Sequence, residues 1–264
     1  LMYPVLFTID WFDNPINIHS YGVLIALGAL VGFLYASRVA KKELGIENQV
    51  MQGLARTIII AAFIGGKVFY YFEDPGFYFS PLSNILHNFR TGFVFYGSLL
   101  FVIPSLIWYV RKHKLLVMPM LDIMAFTGII IHSFGRMGCL MAGCCYGKET
   151  AGPIFIEFTD AAAVAPTGQH LHPTQLYSIT LLLCIYTILV MFKRHQRFQG
   201  QLFFIYIMLY AFGRGLIEIF RGDIRRGFVI EEILSHSQLI SLLLIGVIGF
   251  FYIKLLRNYQ KEIV

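Results

Sequence analysis

Two short stretches set arginines among glycines and apolar residues, and arginine is the side chain that grips a phosphate or carboxylate with two parallel N–H bonds. The first, residues 132–147, reads HSFGRMGCLMAGCCYG. Gly135, Gly138, Gly143 and Gly147 let the backbone turn sharply and approach a ligand closely, and Arg136 supplies the donor fork, so the stretch outlines a phosphate site. The competing reading is a glycine-rich re-entrant turn whose arginine satisfies helix-end carbonyls. The second, residues 210–223, reads YAFGRGLIEIFRGD. On a helix Arg214, Glu218 and Arg221 fall at i, i+4 and i+7 and form a plus-minus-plus stripe. That stripe is either an ion pair joining two helices, or an acid that orients one arginine while the other holds an anionic substrate. The unpaired positive charge favours the second.

Smaller motifs accompany these. His172-Pro-Thr-Gln-Leu-Tyr177 places a proline at a helix start, which is ordinary punctuation. Tyr21-Gly22 and Phe95-Tyr96-Gly97-Ser98 are weak on their own. Three of the four cysteines, Cys139, Cys144 and Cys145, crowd the first stretch, and with His132 and His172 they invite a metal reading. Their spacing matches poorly to paired zinc knuckles. A disulfide on an oxidising outer face fits better, and a reactive thiol is the third reading.

Arginines in apolar runs need elements that carry them at membrane depth. Of the 264 residues, 57% are hydrophobic and 14% charged, and the mean hydropathy is +0.68. Soluble domains are nearer 45–50% apolar and about 25% charged, so the composition disfavours a soluble enzyme, a disordered chain and a disulfide-stapled secreted domain. Apolar runs of about 20 residues predict seven membrane-spanning helices near 18–37, 54–72, 93–110, 117–134, 174–192, 201–220 and 239–256. The fold expected is an all-α integral membrane protein, one polytopic domain over 1–264. Most of the 21 Lys and Arg lie near 38–56, 111–114, 193–197 and the C-terminal tail. These fall on one side of alternating spans, which predicts a cytoplasmic C-terminus and an outer N-terminus. The net charge of +6 and pI near 9.1 then record topology and attraction to anionic lipid, and nucleic acid is not expected as a partner. No basic n-region precedes the first span, so that span is expected to stay in the protein. Arg136 and Arg214 sit at span ends or within them, where an ionised group costs roughly 2.5–3.5 kcal/mol on insertion and a functional role is the default. The connections 73–92 and 135–173 are rich in Gly, Pro and aromatics, and irregular backbone near lipid must line a covered or watery cavity, here opening outward.

In order and spacing, these motifs resemble those of the bacterial prolipoprotein diacylglyceryl transferase family across nearly the whole chain. Tyr21-Gly22 stands at the family's Tyr-Gly, and Gly92-Phe-Val-Phe-Tyr-Gly97 at its Gly-x-x-Phe-His-Gly. Gly135-Arg-Met-Gly138 opens the signature Gly-Arg-x-Gly-Asn-Phe-x-Asn-Gly-Glu-x-x-Gly, with Gly143 and Gly147 at its later glycines. The runs 172–177 and 213–223 match its last two motifs. The resemblance implies a multi-pass enzyme of the bacterial cytoplasmic (inner) membrane with its site toward the outer side. Such an enzyme moves the diacylglyceryl group of phosphatidylglycerol to the lipobox cysteine thiol of a prolipoprotein and releases glycerol phosphate, with no metal or diffusible cofactor. By the same resemblance Arg136 and Arg214 bind phosphate, Glu218 positions Arg214, and Tyr21 meets the headgroup. Tyr96 takes the place of a catalytic group, Gly147 keeps the way in open, and Gly97, Gly138, Cys139, His172, Gln175 and Arg221 surround the substrate.

The chain departs from the pattern at four of its polar positions. Tyr96 replaces a histidine, and a phenol with a pKa near about 10 is a poor base. Cys139 and Ala142 replace two asparagines, and Cys144 replaces the glutamate. These exchanges leave open two alternatives: a divergent relative that uses a glycerophospholipid donor with another acceptor or one of its own cysteines, and a non-catalytic lipid-binding membrane protein.

Overall fold

The structure, a computed structural model, describes residues 3–11, 14–73, 93–222, 228–230 and 234–263. Among the described residues it is helical, apart from the irregular segment 143–173 and two small antiparallel hairpins that the apolar pattern did not announce. The elements are β1 (Val5–Trp11), β2 (Asn14–His19), α1 (Ser20–Leu44), α2 (Asn48–Glu73), α3 (Phe95–Lys112), α4 (Val117–Ala142), α5 (Thr174–Lys193), α6 (Gln201–Glu218), β3 (Phe228–Ile230), β4 (Leu234–Ser235) and α7 (His236–Ile263). Among the described residues six helices are long and apolar enough to cross a membrane: all but α3, which contains Pro104 and ends in Arg111 and Lys112. Each carries large apolar side chains on its outer faces, such as Leu30, Ile59, Leu183 and Phe250. Such faces suit lipid and not water.

The chain divides into two compact units, residues 1–35 with 121–264, and residues 36–120. In the first, Ala125, Phe126 and Ile129 of α4 pack with Leu182, Ile185 and Leu189 of α5 and Leu202 and Ile205 of α6. These positions recur every three or four residues, so one stripe of each helix faces this core. The opening of α1 joins the same unit through Gly28 and Gly32. A Cβ on Gly28 would stand 2.6 Å from Phe134 Cβ, and one on Gly32 2.8 Å from Ile131 Cγ1. Small residues four apart let helix backbones approach where burial of apolar surface gives no drive, because lipid is as apolar as leucine. At the other end of α4, buried Asp122 accepts hydrogen bonds from the backbone N–H of Gly200 (2.6 Å) and Phe203 (3.0 Å) and from Gln196 Nε2 (2.6 Å). A carboxylate from one helix thus caps the N-terminus of another, where donors lack intrahelical partners.

The second unit rests on an equally close crossing of α2 and α3. Gly65 and Gly97 lie backbone to backbone, a Cβ on either falling 2.4 Å from the other's carbonyl oxygen. Ser98 Oγ donates to Ala62 O at 2.8 Å and Tyr109 OH to Val50 O at 3.1 Å.

The expected break at Gly135 does not occur. α4 runs on through Gly135 and Gly138 to Ala142, since a helix keeps its backbone bonds satisfied in lipid and tolerates glycine there. The turn comes at Gly143, with φ of 70°. Residues beyond it fold over a small core of Phe158, Ala165 and Leu171, with Ile156 and Leu171 exchanging backbone bonds of 2.9 and 3.0 Å.

Candidate active site

Arg136 lies one turn beyond His132 on α4, and its Nε–H donates to His132 Nε2 at 3.3 Å. A guanidinium N–H can only donate, so Nε2 is the unprotonated ring nitrogen. Tyr210 of α6 brings its hydroxyl to within 3.3 Å of the same nitrogen and acts electrostatically on Arg136. The His132 and Tyr210 rings pack at 4.8 Å. Among the described residues no carboxylate pairs with Arg136, so its charge is steered by two neutral groups and not cancelled.

One turn after Tyr210, Arg214 forms an ion pair through Nη1 with Oε2 of Glu218, a further turn along α6. Its Nη2 donates to Ser237 Oγ of α7 at 3.3 Å. Glu218 is 3% exposed and Arg214 14%, so this pair is desolvated and fixed. Both arginines act electrostatically on His132. Arg136 is thus bonded to His132, Arg214 is held by Glu218 and Ser237, and the imidazole lies in the field of both cationic forks.

The helical stripe expected to continue to Arg221 ends at Glu218. Bonds from the N–H groups of Ile219, Phe220 and Arg221 to carbonyls three residues back tighten the helix end, and the chain leaves to pair Arg221 with Gly147 as an isolated bridge. Lys148 N donates to Phe220 O at 2.8 Å, Gly222 N to Tyr146 O at 3.2 Å and Gly147 N to His172 O at 3.1 Å. At this three-way crossing Gly147 has no room for a side chain: a Cβ would sit 2.4 Å from both His172 O and His172 Cβ. Gly147 is a buried contact between backbones.

The first turn of α5 holds the same loop from below. Gln175 Nε2 donates to Cys144 O at 2.8 Å and Thr174 Oγ1 to Cys145 O at 2.6 Å. His172 packs edge-on to Phe220 with rings 5.1 Å apart and hydrogen-bonds Tyr177 at 3.1 Å. His172 and Gln175 thus position the 143–147 loop, and among the described residues the buried Gln175 Oε1 has no partner. Tyr21, in the first turn of α1, lies against Gly138, whose added Cβ would approach Tyr21 Cδ2 to 2.9 Å. Ser20 fixes that turn by donating to Pro4 O from both its backbone N–H (3.1 Å) and its hydroxyl (3.3 Å).

Cys139, Cys144 and Cys145 converge: their sulfur atoms all lie within 4.8 Å of one another. His132 and His172 do not join them, being engaged as described. All four cysteines are free thiols. Hydrogen bonds from the Cys139 and Cys144 thiols, and then Arg221 and Arg136, hold Cys145 well below the usual thiol range, whereas sharing protons with Cys139 and Cys145 and burial push Cys144 up.

Of the residues singled out in the sequence, Arg136, Gly138, Cys139, Gly147, His172, Gln175, Arg214, Glu218, Arg221 and Tyr21 belong to the first unit. Gly97 belongs to the second, packed on Gly65. Tyr96 lies in the first turn of α3, and its side chain lies outside the described residues. His132 as the partner of Arg136, Tyr210 and Ser237 were not singled out as site residues; the i, i+4 spacing of His132 and Arg136 was the one local signal available.

A family model described as prolipoprotein diacylglyceryl transferase matches residues 4–254. A protein of Clostridium tetani named phosphatidylglycerol--prolipoprotein diacylglyceryl transferase is 36% identical over 99% of this chain and 100% of its own length. One from Clostridium perfringens, given the same name with the number 2, is 32% identical over 94% of each chain. One from Dehalococcoides mccartyi is 30% identical over 98% of this chain and 95% of its own.

Proposed function

Since the chain belongs to the prolipoprotein diacylglyceryl transferase family, we propose that it moves the diacylglyceryl group of phosphatidylglycerol onto the cysteine thiol of a prolipoprotein at the paired arginines. A thiolate attacks the glycerol carbon next to the phosphate, a C–S bond forms, and the C–O bond breaks with its electron pair leaving on glycerol phosphate. Charge on the phosphate grows as that bond breaks, so donors fixed around it stabilise the transition state more than the bound lipid. Arg136 and Arg214 are those donors. Glu218 holds Arg214 at its angle, Tyr21, Gly138 and Cys139 border the headgroup, and His172, Gln175 and Arg221 hold the loop that closes the site.

The observation that carries this reading is the Arg136 fork, aimed by His132 and Tyr210 and paired with no carboxylate among the described residues. A structural arginine at membrane depth would be neutralised; one kept for an anionic substrate is not.

We further infer seven crossings with α3 among them, an outer N-terminus, a cytoplasmic C-terminus, and a site facing outward from the bacterial cytoplasmic membrane. Lys41 and Lys42 end α1, Arg111 and Lys112 end α3, and Lys193 ends α5. The site residues stand at the opposite helix ends, the starts of α1 and α5 and the ends of α4 and α6. Positive charge marks the cytoplasmic side, which leaves the site on the other.

The deciding experiment incubates the purified protein with phosphatidylglycerol and a lipobox peptide and follows peptide mass and released glycerol phosphate. A diacylglyceryl increment on the peptide, lost in both Arg136→Ala and Arg214→Ala, is expected. Glycerol phosphate released with the peptide unchanged would show another acceptor, and lipid bound with neither product would show a binding protein.

A further inference from the structure

Three thiols gathered at the end of a membrane helix form a ligand set without oxygen donors. Cys139 is the last full turn of α4; Cys144 and Cys145 follow the left-handed turn at Gly143, and Cys145 itself holds a positive φ of 60°. That conformation is strained for a residue with a Cβ, and the surroundings enforce it. Cys144 N donates to Cys139 O at 3.0 Å, while Thr174 and Gln175 grip the carbonyls of Cys145 and Cys144. The backbones that carry the three sulfurs are thus fixed from two elements. Their separations, all within 4.8 Å, are close to the about 3.8 Å that tetrahedral coordination demands at a Zn–S length near 2.3 Å. Soft sulfur ligands select thiophilic cations, and a set of three protein ligands leaves one tetrahedral position open, which is the mark of a catalytic and not a structural zinc site.

We propose that Cys139, Cys144 and Cys145 bind one thiophilic divalent cation, with Zn2+ the type, whose open fourth position takes the thiol of the incoming prolipoprotein cysteine. This rests on the transfer reaction given above. The acceptor thiol binds as thiolate and its proton passes to water, because a coordinating thiol is deprotonated outright. Its sulfur then forms the C–S bond to the glycerol carbon while the C–O electron pair leaves with glycerol phosphate, and the cation keeps its charge and oxidation state throughout. Arg136 and Cys139 stand three residues apart on α4 and so share one helix face, which sets the coordinated thiolate in the neighbourhood of the phosphate it must displace. A general base then becomes unnecessary, in a chain that carries Tyr96 in place of a histidine.

The test uses the full chain, reduced without oxygen, loaded with Zn2+ or Co2+ and desalted. One equivalent of metal per chain is expected, retained in Cys184→Ser and lost in Cys144→Ser and Cys145→Ser. Should those variants fail to fold, Zn2+ protection of the three thiols against alkylation in the unaltered protein gives the same information. In the Co2+ form, lipobox peptide should strengthen the thiolate-to-cobalt charge-transfer band, and a peptide with serine in place of its cysteine should not. Peptide lipidation should fall about a hundredfold on chelation, the scale of a lost acid–base function, and return with Zn2+. Undiminished lipidation by metal-free protein overturns the site and leaves the transfer reaction standing, as does a reduced protein that retains no metal. A loaded protein that shows the peptide-dependent band yet lipidates nothing supports the thiol site and overturns the transfer reaction.

Discussion

Arg136 Nε and His132 Nε2 lie 3.3 Å apart on consecutive turns of α4, with the guanidinium as donor and the imidazole as acceptor. The histidine therefore aims the fork and does not carry a proton for the reaction at that nitrogen. Replacing it by phenylalanine should leave Arg136 charged but unaimed, and misplacement of about 1 Å costs roughly a hundredfold. His132→Phe is expected to lower kcat far more than it raises KM for phosphatidylglycerol, and His132→Asn, which keeps an acceptor, to recover part of the loss. Equal changes in kcat and KM would argue for simple substrate contact.

Arg214 and Glu218 make a different prediction because their pair is buried. Removing the arginine leaves a desolvated carboxylate without its guanidinium, a change that typically costs about 3–5 kcal/mol. Arg214→Ala should lower the thermal transition more than the double change Arg214→Ala with Glu218→Ala, and all of these variants should be inactive. Arg214→Lys should stay folded yet remain poor, since an ammonium lacks the planar fork. A thermal-shift series beside the turnover assay separates the two effects.

Two glycines of the same motif should respond oppositely to alanine. Gly135 has nothing within 4 Å of an added Cβ, whereas Gly147 would drive one to 2.4 Å from His172 O. Gly135→Ala is expected to fold with unchanged or slightly higher stability, in line with helix propensity. Gly147→Ala should break the crossing of 146–148 with 172 and 220–222 and lose folded yield on size-exclusion chromatography.

Away from the site, Asp122 caps α6 through Gly200 and Phe203. Asp122→Ala should cost about 1–2 kcal/mol, the usual range for a lost cap, and Asp122→Asn less, because one acceptor oxygen persists. Turnover at a temperature where both variants are folded should be unaffected; a large loss of turnover there would show that the cap reaches the site.

What the sequence revealed and what it concealed follow from locality. The Arg214–Glu218 pair was readable because both partners sit on one helix at i, i+4. The link from His132 to Tyr210 spans 78 residues, and no periodicity encodes it. Arg221 was misread as part of the stripe because helix spacing was extended past Glu218, where Gly222 and Gly147 draw the backbone into a crossing. The three cysteines were noticed together in the sequence, but C-x4-C-C spacing does not show that the sulfurs meet until the turn at Gly143 folds the loop back onto α4, and it wrongly offered His132 and His172 as companions. The apolar runs did reveal the helices, since lipid demands length and hydrophobicity of each one separately. Gly28 and Gly32 went unremarked because their partners, Phe134 and Ile131, lie on another helix.

The seam made by those two glycines also governs traffic. Where a single Cβ would meet Phe134 or Ile131 at less than 3 Å, no methylene of an acyl chain can slip between α1 and α4. Along that stretch the two helices form a closed seam, and a two-tailed donor bound at Arg136, as proposed, would enter through a different gap in the bundle.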